Sequence, residues 1–197
     1  MTENEWDKLL NIKTSGRDDT DADTYRYPYE PTPYSVLERL AFEGYLGKNN
    51  TLLDYGCGKG RVGIFLSYQT KCHSIGIEYN QRIFTRAAEN KEKSPASKRV
   101  QFVCEDATKY EVPEEVDSVF FFNPFSAEIL QSVLARIFDS FYSCQRRIRL
   151  FFYYPSDEYV SCLMREPLLS FVDEIDCSDL FESKDNREKI LIFEIEF

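Results

Sequence analysis

Apolar residues fall at two spacings along the chain. Runs that are apolar at nearly every position lie at Thr51 to Tyr55, His73 to Glu78, Val100 to Cys104, Asp117 to Phe122 and Ile148 to Tyr153. They predict strands buried on both faces. Between and after them, apolar residues recur every three or four positions, which predicts helices at Arg61 to Tyr68, Gln81 to Lys91, Ala127 to Tyr142 and Ser156 to Met164. Two further strands, Phe171 to Asp176 and Ile190 to Phe197, are joined by one short polar loop and predict an antiparallel hairpin. Strands alternating with amphipathic helices predict an α/β fold with a mostly parallel sheet covered on both faces.

Upstream the pattern weakens. Glu3 to Lys13 predicts a short helix with Trp6, Leu9 and Leu10 on one side, and Thr14 to Thr24 is acidic and poor in apolar residues, as in a mobile loop. Residues 1–24 are thus expected to be an acidic, partly flexible appendage to one domain spanning 25–197. Tyr25 to Tyr34 (YRYPYEPTPY) holds three prolines that forbid a regular helix and four tyrosines that offer flat, half-polar surface. Pro33 suits the first turn of a helix running to about Glu43, with Gly44 as its stop.

Composition narrows the function classes. The chain is 43% hydrophobic with no run of eighteen apolar residues, and Met1 to Leu10 lacks the flank and core of a secretory signal. The expectation is a cytoplasmic protein without membrane contact. Six cysteines without a CxxC pair, and one histidine, are poor material for a metal site or a disulfide framework, so no metal is expected. A net charge of −10 opposes non-specific nucleic-acid binding. Arg82, Arg86, Lys91, Lys93, Lys98 and Arg99 read as a solvated helix face. A small molecule or a basic protein is the expected partner, and the oligomeric state is left open.

Chemistry concentrates in DYGCGKG, Asp54 to Gly60, at the exit of the first strand. Glycines there allow positive φ and close ligand approach, and amides at the following helix start can hold a carboxylate or phosphate. The spacing differs from the G-x-G-x-x-G of dinucleotide sites, and Gly60 is followed by Arg61 and Val62 rather than by the Lys-Ser/Thr of a P-loop. Asp54 would repel a pyrophosphate but accept hydrogen bonds from a ligand ammonium. Lys59 and Arg61 read as decoration of the helix start.

The stretch resembles the first motif of class I S-adenosylmethionine-dependent methyltransferases, D/E-x-G-x-G-x-G. Its context agrees. About twenty-four residues after Asp54, Glu78 ends the second strand, where the resemblance implies an acid bound to ribose hydroxyls. The third strand ends in VCEDATKY, where Asp106, preferred over its neighbour Glu105, and Ala107 match the positions beside the adenine amine. The resemblance implies a Rossmann-like three-layer αβα sandwich, seven-stranded and mostly parallel with an antiparallel terminal strand. It also implies S-adenosylmethionine as cofactor and S-adenosylhomocysteine as product, held by Asp54, Gly56, Cys57, Gly58, Gly60, Glu78, Asp106 and Ala107.

On the acceptor side, Asn123-Pro124-Phe125 after the fourth strand is similar to the N-P-P-F/Y motif of amino-methylating enzymes, with one proline fewer. A weaker likeness, to non-SET histone lysine methyltransferases, pairs that segment with Tyr29-Glu30-Pro31-Thr32, whose Thr32 would help cover the cofactor. Asn123, Pro124 and Phe125 are the expected catalytic residues, and Tyr29, Tyr34, Tyr153 and Tyr154 the expected substrate walls. Methyl transfer to nitrogen or oxygen is the leading reading. The alternative is a non-catalytic binding or regulatory protein on the same fold.

Overall fold

The computed structural model describes residues 1–16, 29–183 and 185–195. The expected mobile loop beyond residue 16, the first four residues of the tyrosine-rich segment and the last two of the terminal strand lie outside these.

Seven strands form one sheet: β1 (Thr51–Tyr55), β2 (His73–Glu78), β3 (Val100–Cys104), β4 (Ser118–Phe121), β5 (Ile148–Tyr153), β6 (Ser170–Asp176) and β7 (Lys189–Ile195). Their spatial order is β3-β2-β1-β4-β5-β7-β6. The first five run parallel, and β7 is antiparallel to both β5 and β6. The chain winds outward from β1 to β3, then returns to lay β4 on the other side of β1, so the topological switch point falls between β1 and β4.

The strands are apolar throughout because both faces are covered. Leu52, Phe120, Phe151 and Ile192 belong to one core, and Leu53, Phe121, Phe152 and Phe193 to the other. Period-two alternation thus serves two interiors. Phe121 and Phe152 are register partners with rings stacked at 4.6 Å. The exposed edge strand β6 carries Asp173, Glu174 and Asp176 and a register shift between Phe171 and Asp173, features that discourage pairing with another sheet.

Helices α1 (Glu3–Leu10), α2 (Tyr34–Phe42) and α3 (Arg61–Thr70) contribute to the first core, whereas α5 (Ala127–Ser143) and α6 (Asp157–Leu163) cover the second; α4 (Gln81–Lys93) packs against β2 and β3. α1 begins with a Thr2–Glu5 capping box and ends three residues early, at Asn11 in the left-handed conformation.

The described part of the expected appendage is integral to the core. Trp6, Leu10 and Ile12 are buried in the same cluster as Tyr34 and Phe65, with the Trp6 ring edge-on to Phe65 at 4.9 Å. Polarity in Glu3, Asp7 and Lys8 concealed this in the sequence, since Asp7 is itself buried and bonded.

Candidate active site

A cavity of about 480 Å³ opens at the carboxyl ends of the parallel strands. It is lined by Tyr55 and Gly56 after β1, Glu78 and Tyr79 after β2, Glu105 and Asp106 after β3, Phe122 to Phe125 after β4, and Tyr153 and Tyr154 at the end of β5. This crevice straddles the switch point, and its volume is in the range of small-molecule sites.

Gly56 has φ 71°, and a Cβ there would stand 2.4 Å from the Pro124 Cβ of the β4 loop. Gly58, at φ 55°, presses against the Tyr29 ring, which a Cβ would meet at 2.1 Å. The corner therefore needs glycine both for backbone conformation and for the chain packed on it. Its amides are directed inward. Gly56 and Cys57 N–H both donate to the Ile77 carbonyl, Gly60 N–H to that of Cys57, and Gly58 N–H to Glu78 Oε2 at 3.0 Å. These four loop amides are therefore engaged within the protein.

Carboxylates dominate instead. Among the described residues, the buried side-chain polar atoms without a hydrogen-bond partner are Asp54 Oδ2 and the Tyr55 hydroxyl. Both residues end β1 and both line the cavity. Asp54 is only 2% exposed. Burial, and then the Glu78 charge, push its carboxyl up to about 8. Glu78 is raised by burial, opposed by hydrogen bonds from the Asn80, Gly58 and Tyr79 backbone.

At the mouth, Arg61 opens α3 and is buried. Its Nε donates to Thr14 Oγ1 at 2.7 Å, its Nη1 to the Thr32 carbonyl at 3.0 Å and to Glu3, and its guanidinium lies 4.2 Å from the Tyr34 ring centroid. Burial alone would raise Asp7 beside it, but hydrogen bonds from Tyr34 and Thr14, and the Arg61 charge, bring that carboxyl below its ordinary value. Across the cavity, Asn123 (φ 38°) and Tyr154 (φ 51°) both adopt left-handed backbone. Asn123 Nδ2 donates to the Tyr154 carbonyl and Oδ1 accepts from Ser156 N–H at 3.4 Å, tying the β4 and β5 loops together.

Residues 52–146 match the family profile described as a methyltransferase domain. That segment is a methyltransferase domain of the class I, S-adenosylmethionine-dependent kind. The fold recurs in an RNA methyltransferase of Salinibacter ruber solved with S-adenosyl-L-homocysteine, at 18% identity and TM-score 0.61 over 85% of this chain and 94% of that one. It recurs also in a TehB-like methyltransferase of Corynebacterium glutamicum, at 16% identity and TM-score 0.58 over 98% of this chain and 95% of that one. The mitomycin 7-O-methyltransferase MmcR is similar at 11% identity and TM-score 0.63, over 82% of this chain and 53% of that one. At such identities these likenesses are of fold. No curated protein matches in sequence.

In this methyltransferase most of the predicted site residues converge on the cavity: Thr32, Asp54, Gly56, Cys57, Glu78, Asp106 and Ala107 on one side, and Tyr29, Asn123, Pro124, Phe125, Tyr153 and Tyr154 among its other walls. Gly58 lies behind Tyr29, and Gly60 caps α3 against the Phe102 ring. Tyr34, expected on a substrate wall, is fully buried instead, its hydroxyl donating to Asp7 Oδ1 at 2.6 Å. Phe125 is mostly a core residue, edge-on to Tyr55 and Phe121. Arg61 is no decoration but the centre of a buried polar network. A cation at the first position of an otherwise apolar helix was the available sign. Phe122, Phe181 and Glu188 also line the cavity, and nothing in their spacing signalled it. Among the described residues no cluster of His, Cys, Asp or Glu suits a metal ion, and no helix is long and apolar enough to cross a membrane.

Proposed function

We propose that the domain of residues 25–197, with α1 packed into its core, transfers methyl from S-adenosylmethionine to a nitrogen or oxygen of an acceptor entering beside the β4 and β5 loops, in the cytoplasm. The observation carrying this reading is the unpartnered Asp54 Oδ2, buried in the cavity wall. A buried acceptor left unpaired is costly, and a cationic ligand group relieves it. S-adenosylmethionine carries an ammonium and a sulfonium, and its chemistry when bound is a methyl group already activated by the sulfonium charge.

Asp54 would face the cationic end, Glu78 the ribose hydroxyls, and Asp106 and Ala107 the adenine. Gly56 and Cys57 shape the floor, Gly58 backs the Tyr29 ring, and Gly60 sets the start of α3. Thr32 and Tyr29 cover the site, Tyr29 being tethered by its hydroxyl to the Thr14 carbonyl at 2.7 Å. Pro124 and Phe125 shape the acceptor side, and Asn123 orients the Tyr154 loop toward the reacting atoms.

Among the described residues, six acids line the cavity (Glu30, Asp54, Glu78, Glu105, Asp106 and Glu188) against one cation, Arg61, itself ion-paired. That balance favours a small molecule or a basic protein over RNA, although one structural neighbour is described as an RNA methyltransferase and another as a tRNA methyltransferase. Calorimetric titration with S-adenosylhomocysteine, with Glu78→Ala as control, tests the reading. Micromolar binding lost in the variant is expected; absence of binding by the native protein would refute it.

A further inference from the structure

The side of the cavity toward β5 and β7 is lined by four aromatic residues, Phe122, Tyr153, Tyr154 and Phe181, and by the carboxylate of Glu188. Three of these rings, Phe122, Tyr153 and Tyr154, form a connected wall. Phe122 lies 4.8 Å from Tyr153 and stands edge-on to Tyr154 at 6.4 Å, while the two tyrosine centroids are 6.1 Å apart. Glu188 is fixed against this wall, its Oε2 accepting the Tyr153 hydroxyl at 2.7 Å. The loops that present the rings are held by the Asn123 tie to the Tyr154 carbonyl, and both residues carry left-handed backbone.

Resting on the methyltransferase reading above, we infer that this aromatic recess receives the acceptor as an alkylammonium group, whose proton would pass to the Glu188 carboxylate so that the freed nitrogen lone pair forms the N–C bond as the methyl–sulfur bond breaks and S-adenosylhomocysteine leaves with that electron pair. Ring faces carry negative quadrupole potential, and a carboxylate beside them adds a full charge in a partly enclosed space, so a compact cation is the ligand best matched to the wall. The protein itself supplies an instance of this attraction. The Arg187 guanidinium lies 4.4 Å from the Tyr154 ring centroid, with its charge balanced by Asp185. A phosphate, carboxylate or phenolate acceptor would face Glu188 with charge of the same sign. A neutral hydroxyl would gain nothing from the quadrupoles.

A shallower depression of about 390 Å³ shares Phe181 with the recess and is lined by Asp179, Glu182 and Asp185 among others. Its acids, two of them paired with Arg39 and Arg187, leave room for the alkylammonium to come either from a free amine or from a lysine side chain of a basic protein segment.

The test uses the full-length protein saturated with S-adenosylhomocysteine. Choline is titrated against 3,3-dimethyl-1-butanol, its uncharged carbon isostere, with the native protein, Phe181→Leu and Glu188→Gln. Choline is expected to bind at least about tenfold more tightly than the isostere, with each substitution cutting that preference several-fold. Because the two probes differ in charge alone, the comparison stands on the native protein even where a variant folds poorly. Equal binding of choline and isostere, or binding of neither while S-adenosylhomocysteine binds, overturns the ammonium assignment and leaves the methyltransferase reading intact. Failure of S-adenosylhomocysteine itself to bind overturns the reading, and the acceptor role with it. Free trimethyllysine is then compared with the same residue in an arginine-flanked peptide. Equal affinities support a free amine and preference for the peptide supports a protein side chain; binding of neither overturns the assignment.

Discussion

Replacing Asp54 by asparagine separates the charge of this buried carboxyl from its size. In the free protein, burial and then the Glu78 charge raise Asp54 from an ordinary 3.8 to about 8. Between those values the folded state binds a proton that the unfolded chain has released, so stability falls as pH rises. The contribution is fully present below about pH 4 and lost by about pH 8. With one unit worth about 1.4 kcal/mol, the loss between pH 4 and pH 7 is about 4 kcal/mol. Asparagine removes that slope, leaving the part that Glu78, raised in the same direction, contributes. A cationic ligand group beside Asp54 has the opposite effect, because it favours the carboxylate. Binding at pH 7 then expels about one proton, and affinity climbs toward pH 8. Two measurements check this: urea unfolding of both proteins at pH 5, 7 and 8.5, and S-adenosylhomocysteine calorimetry at pH 7 in buffers of different ionisation enthalpy. The variant should be the more stable protein at pH 8.5 and the poorer binder, with no buffer dependence. Parallel stability curves, or a native binding enthalpy indifferent to buffer, would refute the assignment of Asp54 as the proton-linked group.

Arg61→Met should destabilise the fold by about 3 kcal/mol, because Asp7 is left buried beside a missing cation; a change under about 1 kcal/mol in urea unfolding would contradict the network. Gly58→Val adds a branched side chain at φ 55° against the Tyr29 ring, so S-adenosylhomocysteine affinity should fall by roughly tenfold or more while the far-ultraviolet dichroism is kept. Unchanged affinity would remove the loop from the site. Asn123→Ala should leave S-adenosylhomocysteine affinity within about twofold and weaken choline several-fold by releasing the Tyr154 loop. Equal losses for both ligands would show that the tie is not confined to the acceptor side.

The strands were legible because a sheet covered on both faces needs continuous apolar runs, and Thr51 to Tyr55 or Ile148 to Tyr153 admit no other use. The acids at strand exits were legible through position: Asp54 and Glu78 stand at the ends of such runs and Asp106 just after one, and parallel strands bring their carboxyl ends to one rim. Strand order was not legible, since β1 contacts β4 across more than sixty residues and its own sequence carries no mark of that partner. Tyr34 was misread because a tyrosine at a helix start is half polar, and only the fold reveals the buried Asp7 that accepts its hydroxyl. Glu188 escaped for a similar reason. It sits in a polar hairpin segment, and the antiparallel return of β7 beside β5 is what carries it to Tyr153.

The irregular features of the molecule divide by place in a way that bears on function. Of the non-glycine residues with positive φ among those described, Asn11 and Lys71 end helices, where that conformation is ordinary. The other two, Asn123 and Tyr154, line the cavity, as do the two residues that carry the unpartnered buried polar atoms, Asp54 and Tyr55. Left-handed backbone at a non-glycine residue costs about 1 to 3 kcal/mol, and an unsatisfied buried acceptor about as much. Elsewhere buried charge is matched, as Arg61 is by Glu3 and Asp7, and Arg149 by Glu194. A chain that satisfies its interior polar groups so thoroughly, yet gathers strain and orphaned oxygen at one rim of the sheet, holds that rim ready for a ligand. The groups there, Asp54 at one end and Glu188 against the aromatic wall at the other, suit a ligand that is positively charged at both ends of the cavity.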